Sequence, residues 1–232
     1  DDHVSILPPF SSVVVLYNVW LFSVQNSNKV FFSSVGNPSV INAANYFSAQ
    51  TSPTPIIEMA ILGEEAYFFK ASNGVEIWDY TGQLTAPFAE SPGRTYARGC
   101  TSQNSVVQLD NSLFWVGDDY TVYRTGTVPQ RVSTSLIEDR LTACSEMIAP
   151  HNFPAFTFSL EGHVYYILNL PPVGETYAYD CQTQQWFRWG TQLPQQEEPG
   201  IFYCQCGTGQ GNQIYMGSSV DGNVYSPDPR SH

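Results

Sequence analysis

Four histidines, five cysteines and seven arginines are the residues from which a reactive site in this 232-residue chain could be built. A hydrolase needs a nucleophile, a base and an orienting group that converge, and the histidines offer no such set. Of His3, His151, His163 and His232, two lie at the termini, while His163 sits in a hairpin between Gly162 and Val164. No nucleophile motif accompanies it, so it reads as a turn or core-edge histidine. The odd number of cysteines (Cys100, Cys144, Cys181, Cys204, Cys206) argues against a complete disulfide framework and fits buried thiols. Cys204 and Cys206 are two apart and, on a regular strand, would face one side, but no further zinc ligands stand near them. The carboxylates at turns, Glu64-Glu65, Asp118-Asp119 and Asp221, lack EF-hand or nonapeptide spacing and read as solvated turn residues rather than a calcium site. The expectation is a chain with no catalytic, cofactor-binding or metal residues.

The elements that would have to position any site are strands. The chain repeats strand-like runs: VVVLYN, VWLFSV, KVFFSS; IIEMAIL, EAYFFKA, GVEIWDY; SVVQLD, SLFWVG, YTVYRTG; AFTFSL, HVYYILN, ETYAYD, QQWFRWG; GIFYCQC, NQIYMG, GNVYSPD. Short turns such as Asn73-Gly74, Gly117-Asp118, Glu161-Gly162 and Asp221-Gly222 divide them, and these are hairpin signals. The valines that follow the turns, Val30, Val75, Val122, Val164 and Val224, are 45, 47, 42 and 60 residues apart. A period of about 40 to 50 residues with three or four short strands per unit is the pattern of propeller blades; a Greek-key sandwich would show strands without a period. The fold expected is therefore all-β, a propeller-like array of antiparallel blades in a single domain over 1–232, with units near 11–50, 54–86, 103–134, 153–190 and 199–227. Helix is confined to Ser133–Met147, where Ser135-Leu-Ile-Glu138 has capping-box spacing, and to a short turn near Ile41–Ala49. The aromatic residues Phe31, Phe32, Tyr67, Phe68, Phe69, Phe114, Trp115, Tyr165 and Tyr166 fall inside strands and are expected to pack between blades.

Composition narrows the function. Nine basic residues against twenty-one acidic ones leave a net charge of −12, which disfavours gripping nucleic-acid phosphates, and the two lysines, Lys29 and Lys70, make no basic patch. The charged fraction is only 13%, so much of the surface is uncharged or covered by partners. No run of about 18 apolar residues exists, and Asp1-Asp2-His3 lacks the features of a signal peptide, so a soluble chain is expected. Five units seldom close a ring unaided, which suggests completion by further chain or by other subunits. A sialidase propeller would carry several arginines at recurrent positions and Asp-box turns; Arg94, Arg98, Arg124, Arg131, Arg140, Arg188 and Arg230 do not recur so, and the SSVDGNVY turn at 218–225 has the wrong spacing.

Read as text, residues 29–190 resemble the packaged-DNA stabilisation proteins of short-tailed phages, the tail-hub or nozzle family. The likeness rests on Phe32-x-Ser34 followed by Gly36-Asn37-Pro38, Ser52-Pro53, and Val75-Glu76-Ile77-Trp78 before Thr81-Gly82. It continues through Arg98-Gly99-Cys100, the strand LDNSLFW at 109–115, Pro129–Thr134, EGHVYYILNLPP at 161–172 and TYAYDCQTQQWFRW at 176–189. Val173–Thr176 and Gln192–Pro199 diverge from that pattern. The resemblance implies a non-enzymatic virion protein: a ring of identical subunits, six in number, assembled in the host cytoplasm. It would extend the portal channel, contact the portal or adaptor ring and the distal tail proteins, retain packaged DNA and form the ejection conduit. DNA would pass without sequence-specific binding, and no membrane or cofactor is implied. The alternative from another class is a carbohydrate-binding or glycan-cleaving propeller used in receptor recognition, which a pocket with convergent arginines and carboxylates would favour.

Overall fold

In a computed structural model, residues 7–147, 152–192, 199–210 and 213–226 are described. They form five antiparallel sheets, each a meander in which consecutive strands pair, and none of them is closed into a barrel. The chain divides into two compact units, one running to Thr101 with Gly117–Asp119, the other comprising Ser102–Val116 and the chain from Tyr120.

The first unit holds two four-stranded sheets. One contains β1 (Phe10–Leu16), β2 (Val19–Val24), β3 (Lys29–Phe32) and β4 (Tyr46–Ser48); the other contains β5 (Ile56–Leu62), β6 (Glu65–Lys70), β7 (Val75–Tyr80) and β8 (Phe88–Tyr96). The β1–β2 loop is two residues, Tyr17 and Asn18, both left-handed (φ 51° and 59°), the backbone twist that suits a tight hairpin. Alternate side chains of the first sheet, Leu16, Val19, Leu21, Val30 and Phe32, meet Ile56, Met59, Ala66, Phe68, Trp78 and Phe88 of the second. Phe47 of β4 stacks on Trp78 with ring centroids 4.4 Å apart. The first strands of the two sheets, β1 and β5, lie against each other.

Two segments here correct the sequence reading. Residues 41–49 hold one hydrogen-bonded turn, Asn45 N–H to the Asn42 carbonyl at 2.8 Å, and no helix; Tyr46–Ser48 become β4, because pairing with β3 and stacking on Trp78 outweigh the local signal. The second sheet continues beyond residue 86 into β8, which contains Pro92 and Gly93. Proline donates no ladder hydrogen bond, and β8 tolerates it as an edge strand whose register shifts between Glu76 and Trp78 of its partner.

The second unit holds three sheets and a helix. β9 (Val107–Leu109), β10 (Ser112–Val116), β11 (Val122–Arg124) and β12 (Gln130–Arg131) form the first; α1 (Ser135–Ser145) follows; β13 (Ala155–Leu160), β14 (His163–Leu170), β15 (Glu175–Asp180) and β16 (Gln185–Trp189) form the second; β17 (Cys204–Gln210), β18 (Gln213–Ser218) and β19 (Val224–Tyr225) form the third. Asp110-Asn111 (φ 47° and 53°) and Glu161-Gly162 (φ 51° and 85°) make two-residue hairpin loops.

The middle sheet is apolar on both faces. One face, with Tyr166, Leu168, Leu170, Tyr177 and Tyr179, packs on Phe114, Val116 and Val122 and on the helix residues Ile137, Leu141 and Cys144. Its other face, with Phe156, Phe158, Ile167 and Ala178, packs on Cys204, Ile214 and Met216. Strand β13 lies against β17, first strand against first strand, as β1 lies against β5. Gly207 permits that approach, since a Cβ there would sit 2.5 Å from the Phe156 ring. Sheets that are buried on both faces and adjoin through their first strands stack as propeller blades do.

Candidate functional site

A groove in the second unit gathers charge and aromatic surface. It opens between α1 and the β15–β16 edge, with a volume of about 440 Å³. The helix is placed by its own buried stripe, Ile137, Leu141 and Cys144, spaced so that all three face the core. At its start the expected capping box does not form. Thr134 is the N-cap and makes no side-chain cap bond. Glu138 instead receives Arg131 Nε at 2.6 Å and Ser133 Oγ at 2.7 Å, and that hydroxyl in turn accepts the Val122 N–H at 3.0 Å. Tertiary partners thus take the carboxylate that a local cap would have used.

This leaves Thr134, Leu136 and Arg140 facing the groove, opposite Glu175, Tyr177 and Arg188, while Phe187, paired with Ala178, projects to the other face of the sheet. Glu175 is largely buried and receives the Tyr177 hydroxyl at 2.8 Å. Arg140 Nε lies 3.4 Å from one carboxylate oxygen and Arg188 Nη2 lies 3.6 Å from the other. Burial, then the bond to Glu175, raises the Tyr177 pKa and keeps its hydroxyl a donor. The sequence does not bring Arg140, Glu175 and Arg188 together, because 35 to 48 residues and two or three strands separate Arg140 from its partners.

The first unit contains a buried charged node. Lys70 and Glu76, both fully buried, form an ion pair. Lys70 Nζ also donates to the carbonyls of Ala49, at 3.0 Å, and Ser52. Glu76 accepts the Thr51 N–H at 2.9 Å and the Trp78 indole N–H at 3.2 Å. The link from β4 to β5 is thereby tied to the centre of its sheet.

The other candidate residues are dispersed. His163, at the start of β14, pairs through Nδ1 with Asp180 at 2.7 Å, and Asp180 also accepts from Gln182 N–H and Thr183 Oγ1 at 2.9 Å each. That arrangement staples a hairpin. His3, His151 and His232 lie outside the described residues. Glu65 binds Arg94 and Tyr67, Asp119 lies 3.4 Å from Arg98, and Asp221 accepts from Asn223 and Tyr225. Among the described residues no group of three or more histidine, cysteine or acidic side chains is placed to hold a metal ion. Cys204 and Cys206 do not share a face: a register shift between them buries Cys204 against the core and leaves Cys206 exposed. Cys181 is partly exposed, yet burial of its thiol pushes the pKa up to about 11. Of the aromatic residues, Phe32, Phe68, Phe114 and Tyr166 stand in the inter-sheet cores, whereas Phe31 lies on the outer face of the first sheet, 5.5 Å from the exposed Tyr46 ring.

Several solved structures are similar to the chain. BamB from Moraxella catarrhalis is similar with a TM-score of 0.51 at 13% identity, over 94% of this chain and 58% of that one. YCF48 from Cyanidioschyzon merolae gives 0.47 at 12% identity, over 96% and 73% of the two chains, and the computationally designed Ika8 protein gives 0.47 at 15%, over 92% and 56%. The chain thus spans less than two thirds of BamB, and at this identity the likeness concerns the fold alone. No curated protein matches the sequence. A family model described as "Bacteriophage P22 Gp10, beta-propeller" matches residues 12–231, which takes in all five sheets. With blade-like sheets that adjoin through their first strands and a family match running through every one of them, the chain belongs to this phage stabilisation family of β-propellers.

Proposed function

We propose that this chain is a non-catalytic tail-hub or nozzle component of a phage virion, a ring of six copies that extends the portal channel, retains packaged DNA and forms the ejection conduit. Membership of the stabilisation family over residues 12–231 is the observation that carries the reading. The portal or adaptor ring and the distal tail proteins are its neighbours, and the virion tail is its site, reached by assembly in the host cytoplasm.

Two physical features support it. The net charge of −12 repels DNA phosphates, so a wall made from this chain lets the duplex slide instead of adhering. The first sheet carries a second apolar face, directed away from its core: Val13, Val15 and Tyr46 are exposed there, beside Phe10, Trp20, Phe22 and Phe31. Contiguous exposed apolar surface of this kind marks an interaction face.

The test is the mass of the purified chain by light scattering, alone and mixed with purified portal rings. A ring-sized mass or capture by the portal is expected. A stable monomer that the portal does not capture overturns the proposal.

A further inference from the structure

We infer that the β6–β7 turn is a site of spontaneous covalent modification, at which the Asn73 side-chain amide closes on the Gly74 nitrogen and is converted into an aspartyl or isoaspartyl residue. This goes beyond the virion role and does not rest on it.

Asn73 is the only asparagine of the chain that glycine follows. Asparagine is thermally labile, because the backbone nitrogen of the next residue can attack its amide carbon. A side chain on that next residue crowds the approach, and glycine has none. The attacking nitrogen must also be free, since an N–H bound to an acceptor is already committed. Serine, the next smallest hindrance with a hydroxyl, follows Asn26, Asn104 and Asn111, and the structure closes all three. Ser27 N–H donates to the Val24 carbonyl at 3.2 Å, Ser105 N–H donates to the Ser102 carbonyl at 3.1 Å, and Ser112 is buried and paired with Leu109 in β10. Gly74 differs. Its carbonyl accepts the Lys70 N–H at 3.2 Å, but its own N–H makes no hydrogen bond among the described residues. Asn73 is exposed, and the side-chain bond it makes there is from Nδ2 to Ser72 Oγ at 3.3 Å, so rotation of the side chain can bring Cγ to the Gly74 nitrogen. The Asp221-Gly222 turn is not equivalent. Hydrogen bonds from Tyr225, Ser218 and Asn223 hold the Asp221 carboxyl well below the usual range, and an ionised carboxylate resists nucleophilic attack.

The atoms balance with water alone. The Gly74 nitrogen bonds to Asn73 Cγ, the Cγ–Nδ2 bond breaks, and ammonia leaves with the proton that the nitrogen gives up. Water then opens the cyclic imide. Cleavage at Cγ leaves an aspartyl residue; cleavage at the main-chain carbonyl carbon leaves an isoaspartyl residue, whose backbone runs through Cβ and is longer by that carbon. The turn has little room for it. Gly74 is buried at φ +125°, its Cβ position lies 2.3 Å from the Tyr96 carbonyl oxygen, and the Asn73 N–H is bound to Asp118 Oδ2 at 3.3 Å. Lys70 bonds Gly74 through its N–H and the Cys100 N–H through its carbonyl, the latter at 2.7 Å. Displacing Gly74 therefore loosens the cover over Cys100, which is fully buried.

The experiment is incubation of the full chain in buffers from neutral to mildly alkaline pH. Peptide mass spectrometry locates amide loss, and protein isoaspartyl methyltransferase with a radioactive methyl donor counts isoaspartyl groups. Asn73 should convert before every other asparagine, and faster as pH rises, because the attacking nitrogen must lose its proton. Cys100 in the isoaspartyl fraction should be alkylated about ten-fold faster or more, the scale of one strained backbone position. Asn73→Gln, checked for folding by circular dichroism, should keep its Cys100 rate constant through the incubation. Asn73→Asp, which carries the new charge on an unlengthened backbone, should change that rate much less than the isoaspartyl fraction does. Retention of the Asn73 amide throughout, earlier conversion of another asparagine, a rate indifferent to pH, or equal loosening of incubated Asn73→Gln would each overturn the assignment.

Discussion

Replacing Lys70 by methionine isolates the buried charged node of the first unit. Methionine nearly keeps the volume of the lysine stem, so packing changes little and the main loss is electrostatic. Glu76 would retain the N–H donors of Thr51 and Trp78 but lose its counter-charge, and the carbonyls of Ala49 and Ser52 would lose their Nζ donor. Removing one partner of a buried ion pair costs about 3–5 kcal/mol, a large share of a stability of roughly 5–15 kcal/mol. Cys100 offers a local reporter. It is fully buried, it is the only cysteine of the first unit, and its N–H bonds the Lys70 carbonyl at 2.7 Å. Its alkylation under native conditions requires opening, so the rate in excess reagent, resolved by peptide mass spectrometry, reads the opening equilibrium. At 1.4 kcal/mol per factor of ten, Lys70→Met should accelerate it about a hundred-fold or more. Lys70→Met combined with Glu76→Gln should recover part of that loss, since no uncompensated buried charge remains. Acceleration of less than ten-fold by the single variant, or strict additivity in the double one, would refute the view that charge compensation holds this node.

Two further perturbations probe the backbone and the pH response. Gly74 has φ +125°, and a Cβ there would lie 2.3 Å from the Tyr96 carbonyl oxygen, whereas Gly63, at φ +61°, has open space around it. Gly74→Ala should therefore cost about 2 kcal/mol or more in urea unfolding while Gly63→Asn costs well under 1, and equal effects would sink the distinction. The carboxylate of Asp180 is disfavoured by burial, but hydrogen bonds from Gln182 N–H, His163 and Thr183 outweigh this and hold its pKa below the ordinary value. Such a group stabilises the fold fully above its unfolded pKa of about 3.9 and loses that contribution as pH falls through the folded value. Asp180→Asn should flatten the acid limb of stability measured by urea midpoints from pH 6 to 3; an unchanged slope would dismiss the assignment.

Most of the fold was legible along the chain because its signals are local. Near-continuous apolar runs in β6, β10 and β14, and turns such as Asn73-Gly74 and Glu161-Gly162, specify strands and hairpins from neighbours in sequence, and their recurrence exposes the blade-like period. The strands that no run marks, β4, β8 and β12, are edge elements that are two or three residues long or carry a Pro-Gly pair, and they exist because a neighbouring strand, and for β4 an aromatic stack, receives them. The register shift that separates Cys204 from Cys206 likewise has no sequence mark.

The sequence by itself determined the chain's acidity, its family and its all-β architecture, since charge adds residue by residue and hairpins form from adjacent segments. Only the tertiary structure decided which charges meet. Glu138 takes Arg131 and Ser133 in place of a helix cap, and Lys70 joins Glu76 beneath the β4–β5 link. Arg140 and Arg188 converge on Glu175 from a helix and a strand far apart in the chain. Such pairings depend on where packed sheets bring distant side chains and on the burial that makes each charge require a partner, and neither quantity is carried by local sequence.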